Sequence, residues 1–105
     1  MTGKSRRQRL AEMLAEDPGD PFLRYGLAMD YAGAGEDEAA AECFAELMKA
    51  SPDYVPAYMQ AGQVLGRLGR EEEARAVCRA GVAAAQKQGD GHAAGELQGL
   101  LDMLE

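Results

Sequence analysis

The sequence predicts an all-α fold, an α-solenoid of antiparallel helix hairpins with about six helices in 105 residues. The first observation behind this prediction is a set of small, apolar and glycine positions that returns after 34 residues. Leu27-Ala28, Tyr31, Gly35, Ala40 and Phe44 are followed by Ala61-Gly62, Leu65, Gly69, Ala74 and Cys78. The second is that apolar residues recur at steps of three and four, as on one face of a helix, with no strand-like alternation. A fixed period of this size is typical of stacked helical hairpins.

A first helix is predicted at residues 4–16 and a second at 21–33. Cations in the first turn of the first helix stand at the unfavourable end of the helix dipole, so we expect fraying near Ser5. The segment Asp17-Pro18-Gly19-Asp20-Pro21 separates the two helices, because it holds two prolines and a glycine. Its Asp20 is expected to cap the second helix, with Pro21 in the first turn. Gly35 is suited to end that helix in a left-handed conformation.

The next two helices are predicted at about 36–50 and 55–67. Acidic residues open the third helix, where the helix dipole favours them, and Ser51-Pro52 ends it. Pro56 stands in the first turn of the fourth helix, and Gly69 stops it.

Two further helices are predicted at about 71–87 and 92–104. The period requires a proline near the end of the fifth helix, but Gln86 stands there, so we expect this helix to overrun. The last helix carries four leucines on one face: Leu97, Leu100, Leu101 and Leu104.

The net charge of −7 is unevenly distributed along the chain. The first nine residues include Lys4, Arg6, Arg7 and Arg9 and no acid, and the remainder has seven basic against eighteen acidic residues. An acidic body of this kind repels phosphate backbones and anionic lipid, which argues against nucleic acid or membrane partners. No apolar run approaches the ~20 residues of a membrane span, and acids interrupt any signal-peptide core. We interpret the basic start as a solvated tail, with docking on an acidic partner as the alternative.

The chain has few residues suited to catalysis or metal binding. Cys43 and Cys78 are the only cysteines, and His92 is the only histidine, so metal-ligand spacing is absent. We interpret the two thiols as reduced and packed in the interior, which is consistent with a cytoplasmic location. An enzyme needs a nucleophile with a base, or an acid–base pair, in a pocket. We therefore expect no catalytic residue, no metal and no cofactor.

These motifs resemble the tetratricopeptide repeat (TPR) family. Its pattern places Leu-Gly/Ala and Tyr in the first helix of each repeat, and Ala, an aromatic residue and Pro in the second. One repeat here has Leu27-Ala28, Tyr31, Ala40, Phe44 and Pro52, and the next has Tyr58, Gly62, Gly69 and Ala74. Arg24, Leu65 and Cys78 depart from the pattern. The whole chain is similar to small stand-alone bacterial TPR proteins.

The resemblance implies a right-handed solenoid in a single domain over residues 1–105. It divides the chain into an N-terminal half-unit helix at 4–20, repeats at 21–54 and 55–88, and a C-terminal capping helix at 89–105.

A second stripe of side chains lies on the first helix of each repeat and is not required for packing. Its six members are Phe22, Tyr25, Met29, Met59, Gln63 and Arg67. In TPR proteins this face lines a concave groove that receives peptides, so the resemblance implies a peptide-binding groove. Tyr25 and Met29 replace the Lys and Asn of the carboxylate clamp of chaperone-tail-binding members, so a clamp is not expected.

Two alternatives to this groove remain open. Phe22 and Tyr25 could serve only to pack under the first helix. Binding could also use the convex face, where Glu38, Glu42 and Glu46 form an acidic ridge that we otherwise interpret as solvated.

The sequence therefore predicts a non-catalytic protein–protein interaction module, an adaptor or scaffold for a partner's peptide segment. Basic flanks on the partner would complement the acidic body. The alternatives are a self-associating structural module that pairs through its ends, or a regulatory subunit of a larger complex. We expect a monomer or a weak homodimer, because the leucines of the last helix are more apolar than a cap requires.

Overall fold

The computed structural model describes residues 3–105, and Met1 and Thr2 lie outside the described residues. All secondary structure within that range is helical. The six helices are α1 Arg6–Glu16, α2 Pro21–Gly33, α3 Asp37–Ala50, α4 Pro56–Arg67, α5 Glu71–Lys87 and α6 Gly91–Leu104. The all-α solenoid prediction is confirmed, and each helix boundary lies within two residues of its expected position. The division into repeats at 21–54 and 55–88 stays a prediction.

Three of the helices begin at a side-chain cap that the local sequence provides. Ser5 and Gln8 form a reciprocal capping box at α1, in which each side chain accepts a hydrogen bond from the other residue's backbone N–H. Because this box satisfies two N–H groups, α1 begins at Arg6 despite the cations in its first turn. Asp20 caps α2, and Asp90 accepts from the Ala93 N–H at 3.0 Å to cap α6.

Three helices end at a glycine with positive φ. The φ angles of Gly35, Gly69 and Gly89 are 77°, 76° and 74°, a region that side chains with a Cβ rarely adopt. After each glycine, the next residue's N–H donates at 2.9 Å to a carbonyl in the last turn of the helix, as at Glu36 to Tyr31. The first two glycines were predicted from the period, whereas Gly89 ends a helix that overruns it.

The hairpin contacts are built from small residues and one large ring. Ala28, Ala40 and Ala74 have no exposed surface, and Phe44 is also completely buried. Cys78 lies 34 residues after Phe44 and is completely buried as a free thiol. A Cβ at Gly62 would lie 2.9 Å from the Cys78 Sγ, so these two small residues allow α4 and α5 to approach closely.

A second cluster of buried side chains joins α4, α5 and α6. It contains Val55, Tyr58, Ala85 and Leu97. The Tyr58 hydroxyl donates to the Pro52 carbonyl at 2.6 Å, so the polar end of this buried ring is satisfied. Gly81 allows the close approach, because a Cβ there would lie 2.6 Å from Tyr58 Cβ and 3.0 Å from Leu97. Gly81 was not predicted from the sequence as a contact residue.

The helix α1 packs on α2 and has no fully buried residue. The interpretation of its basic start as a solvated tail is wrong for Arg7. The guanidinium lies 4.0 Å above the centre of the Tyr31 ring, 2.8 Å from Asp30 and 2.6 Å from Glu36. One cation therefore bridges α1 to the end of α2 and the following turn. Tyr31 is half-buried, with the main core against it and the Arg7 guanidinium over its ring.

The last helix, α6, packs on both α5 and α4. Leu97 and Leu101 are buried, Leu100 and Leu104 are half-buried, and Met103 is 82% exposed. The four leucines therefore serve mainly to dock α6 on the rest of the chain.

Candidate functional site

A groove of about 310 Å³ lies on the side of the molecule formed by α2, α4 and α6. It is lined by Tyr25, Val55, Pro56, Met59, Gln60, Asp90, His92, Ala93, Glu96 and Leu97. The helices α2, α4 and α6 alternate along the chain with α3 and α5, so the groove runs across the stacked hairpins and not within one hairpin.

The Tyr25 ring at one end of the groove is held by other aromatic residues. Its centre lies 6.1 Å from that of Phe44, in an edge-on arrangement, and 5.5 Å from that of Tyr54. Burial raises the pKa of the Tyr25 hydroxyl, with a smaller contribution from Tyr54. The ring is thus a rigid, half-buried surface that also belongs to the structural core.

The apolar floor comes from α4 and α6. Val55 and Leu97 are buried in the second core cluster, and Met59 is half-buried against it. Pro56 begins α4 and is exposed, so its ring borders the groove without a hydrogen-bond donor. A methionine beside fixed side chains provides an adaptable contact surface.

The rim on the α6 side is acidic. The Glu96 carboxylate is 56% exposed and lies 3.5 Å from the His92 imidazole, one helical turn earlier. Asp90 lies at the start of the same helix, where one of its oxygens is occupied by capping. A ligand group in this groove therefore meets an apolar floor and, on one side, two carboxylates.

The six residues of the predicted stripe lie in different environments. Tyr25 and Met59 line the groove, whereas Phe22 is 70% exposed and Gln63 is exposed, both outside its lining. Met29 is half-buried against the main core. The alternative that Phe22 and Tyr25 only pack under α1 does not describe them, because Phe22 is exposed and the Tyr25 ring packs on Phe44 and Tyr54.

Arg67 is held by an acid on a neighbouring helix. Its Nε and Nη2 atoms donate to the two carboxylate oxygens of Asp37 at α3, each at 3.0 Å. These hydrogen bonds lower the pKa of Asp37 below its ordinary value. A bidentate pair of this kind leaves Arg67 less available to a ligand than the stripe suggested.

The α6 side of the groove was not predicted from the sequence. The predicted stripe contains residues of the second and fourth helices only, and the last helix was expected to serve as a cap. The signal that could have identified His92 and Glu96 was their four-residue spacing on the face opposite Leu101.

A larger depression of about 610 Å³ lies between α5 and the loop that precedes α4. Its lining is Pro52, Asp53, Tyr58, Ala80, Ala83, Ala84, Lys87 and Gln88. The Gln88 amide donates to the Asp53 carbonyl across its edge, and the Tyr58 hydroxyl is already used by Pro52. Three of its eight lining residues are alanines, and the Tyr58 hydroxyl and the Gln88 amide are both occupied by contacts within the chain.

Residues 3–105 contain no group of three or more histidine, cysteine and acidic residues close enough to hold a metal ion. No helix in the described part of the chain is both long and apolar enough to cross a bilayer.

Comparison with known proteins gives one curated relative and several solved structures. The TPR repeat-containing protein PA0015 of Pseudomonas aeruginosa is 31% identical over 96 residues, which cover 91% of each chain. The solution structure of protein BPP2914 from Bordetella parapertussis superposes with a TM-score of 0.81 at 31% identity, over 97% of this chain and 89% of that one. No family model matches the sequence.

A TPR domain protein from Salinibacter ruber is similar as well. Its solution structure has a TM-score of 0.78 at 33% identity, over 84% of this chain and 89% of that one. The MamA D159K mutant shares the fold at 20% identity, with a TM-score of 0.58. The relative and the fold agree with the 34-residue pattern, and the chain belongs to the tetratricopeptide repeat family.

Proposed function

We propose that the chain is a non-catalytic interaction module that binds a peptide segment of a partner protein in the groove between α2, α4 and α6. The observation that carries the proposal is the combination of an open apolar floor with an acidic rim in one groove. Its volume of about 310 Å³ is at the small end for ligand pockets, which suits one or two side chains of a peptide rather than a large cofactor.

The partner segment carries an apolar side chain next to a lysine or arginine. The apolar group packs on Met59 and against the fixed Tyr25 ring, and the cation lies beside Glu96. The net charge of −7 supports a partner with basic flanks, because the acidic body speeds the approach of such a segment. This attraction weakens with salt, since the screening length is only about 8 Å at physiological ionic strength.

The lining chemistry favours binding over catalysis. The lining residues include no serine, threonine, cysteine or lysine that could act as a nucleophile, and the His92 side chain is 87% exposed. We assign the module to a reducing compartment, the cytoplasm, because Cys43 and Cys78 are free thiols.

A library of displayed random peptides, selected on the immobilised protein, tests this proposal. We expect enriched peptides to pair a basic residue with an apolar one. The substitution Glu96→Lys should reduce their binding at least tenfold without changing the thermal midpoint, because Glu96 is exposed. Tyr25 is a poor test residue, since its truncation would also damage the packing around Phe44.

Glu46→Lys is the matched control, with the same charge change on an exposed residue of the convex ridge. Normal binding by Glu96→Lys together with loss of binding by Glu46→Lys would move the site to the convex face. Peptides without basic residues would refute the electrostatic part of the proposal.

A further inference from the structure

The helices α4 and α6, which form two sides of the groove, run side by side in the same direction. A Cβ at Gly62 would lie 3.1 Å from Leu100 Cδ2, and a Cβ at Gly66 would lie 3.6 Å from Leu104 Cδ2. Each contact joins residues that are 38 positions apart in the sequence, and both helices advance by about one turn between the two contacts. The same offset therefore relates each level of α4 to a level of α6.

Met103 lies on the groove side of α6, beyond the groove itself. It follows Glu96 by seven residues, or about two turns of helix, so the two side chains project from the same side of α6. By the offset above, Met59 on the groove floor is level with Leu97. Met103 is then about 9 Å further along α6. It is 82% exposed, so its side chain is free to contact a ligand.

The surface between Met59 and Met103 is apolar, with one amide beside it. Leu100 and Leu104 are half-buried where α6 contacts α4, so part of each side chain remains accessible. Gln63 follows Met59 by one turn of α4 and is exposed. A ligand that extends past the groove along α4 and α6 therefore meets apolar side chains and the Gln63 amide.

We propose that the bound segment of the partner is an extended chain in the polyproline II conformation, with a second apolar side chain that packs on Met103. This inference rests on the proposed function and adds the conformation of the segment and the spacing of its residues. A polyproline II chain has three residues per turn and rises about 3.1 Å per residue, so residues i and i+3 face the same side about 9 Å apart. This spacing matches the distance along α6 from the level of Met59 to Met103. A β-strand would place residues i and i+3 on opposite faces.

The polar groups beside the groove also favour an extended chain over a helix. The backbone N–H and C=O groups of a polyproline II segment are unpaired, whereas a helix pairs its own. The exposed Gln63 amide lies between the two apolar contacts, where it can donate to a carbonyl of such a chain. The rings of Tyr25 and Pro56 border the groove with flat apolar surfaces, and polyproline II segments bind in aromatic-lined grooves. The lysine or arginine next to the first apolar residue lies beside Glu96, as proposed above.

Synthetic peptides of fixed spacing test this inference. Each contains a lysine next to a leucine, and a second leucine two, three, four or seven residues after the first. One series has a background of proline and serine, which favours polyproline II, and the other has a background of alanine, which favours a helix. Binding is measured by NMR titration of the unmodified protein and of Met103→Gln, Glu96→Lys and Met13→Gln. Met13→Gln is the matched control, with the same change at an exposed methionine of α1.

We expect the peptide with a spacing of three in the proline-rich series to bind about tenfold more tightly than those with spacings of two and four, because only its second leucine reaches Met103. Met103→Gln should remove this preference and leave the thermal midpoint unchanged, since the side chain is exposed and glutamine is as good a helix former as methionine. Met13→Gln should bind every peptide as the unmodified protein does. Glu96→Lys should weaken all of them, because each carries the lysine.

Four results would overturn the inference. Equal binding of all spacings, still lost in Glu96→Lys, would keep the proposed function and limit the site to the groove. Tightest binding by the spacing of seven in the alanine-rich series would show that the partner segment is a helix. An undiminished preference for the spacing of three in Met103→Gln would place the second contact elsewhere. Binding of none of the peptides would refute both the inference and the proposed function.

Discussion

Replacing Gly81 by alanine tests the closest contact in the solenoid. The added Cβ would lie 2.6 Å from Tyr58 Cβ and 3.0 Å from both terminal carbons of Leu97. Tyr58 Cβ is fixed to the α4 backbone, so the 2.6 Å contact can be relieved only by displacing a helix. The Leu97 side chain is 1% exposed and must repack within the core. Overpacking of a core costs about 1–3 kcal/mol. Alanine recovers about 1 kcal/mol of helix propensity. We expect the two effects together to lower the free energy of unfolding by up to about 2 kcal/mol.

The matched control is Gly95→Ala in α6, where a Cβ meets nothing within 4 Å. This variant should gain about 1 kcal/mol from helix propensity alone. Urea denaturation of dilute samples measures the change in stability of both variants. In thermal unfolding of a domain of this size, 1 kcal/mol corresponds to roughly 4–8 °C in the midpoint temperature. Equal stabilisation by the two substitutions would show that α4, α5 and α6 can separate at no cost, and the packing argument would be wrong.

Four other substitutions or reactions follow from the contacts described above. Phe44→Ala removes a completely buried ring and should cost about 3–5 kcal/mol in urea denaturation; a loss below 1 kcal/mol would contradict its burial. Iodoacetamide should alkylate Cys43 before Cys78, because Cys43 is half-buried and Cys78 is buried and reacts only after unfolding. Burial raises the pKa of both thiols, so both reactions should be slow near pH 7. The pKa of Asp37 is lower in the folded state than its ordinary value of 3.8. The ion pair therefore stabilises the folded protein fully when the pH is above 3.8. This stabilisation is lost as the pH falls through the lower pKa of the folded state. Unmodified protein and Asp37→Asn should therefore differ in thermal midpoint at pH 7 and converge in strong acid. Arg7→Ala should speed amide hydrogen exchange in α1 and leave α4 and α5 unchanged, because this arginine is the main polar anchor of α1.

The helices could be predicted because their boundaries are encoded in nearby residues. Pro21 and Pro56 suit only the first turn of a helix, and Gly35 and Gly69 adopt the positive φ that ends one. Each of these signals acts within one turn of its own position. A period of 34 residues then repeats them, so the order of the helices and the pairing of small residues follow from the sequence.

The groove could be predicted only in part, because its residues depend on how separate helices cross. Tyr25 and Met59 were found from their helical face. Arg67 lies on a similar face, but the period does not reveal that Asp37, thirty residues earlier, reaches its guanidinium. Gly81 was missed for the same reason, since its close neighbours Tyr58 and Leu97 belong to two other helices.

The acidic rim of the groove depends on where α6 begins, because a longer α5 is followed by a shorter loop. With Gln86 in place of the expected proline, α5 continues to Lys87, three residues beyond the point that matches the end of α3 at Ala50. The following loop, 88–90, is shorter than the loop 51–55 by two residues. As a result, α2, α4 and α6 begin at Pro21, Pro56 and Gly91, at equal spacings of 35 residues. The helix α6 therefore follows α4 at the same spacing at which α4 follows α2, and this position brings Glu96 into the same groove as Tyr25.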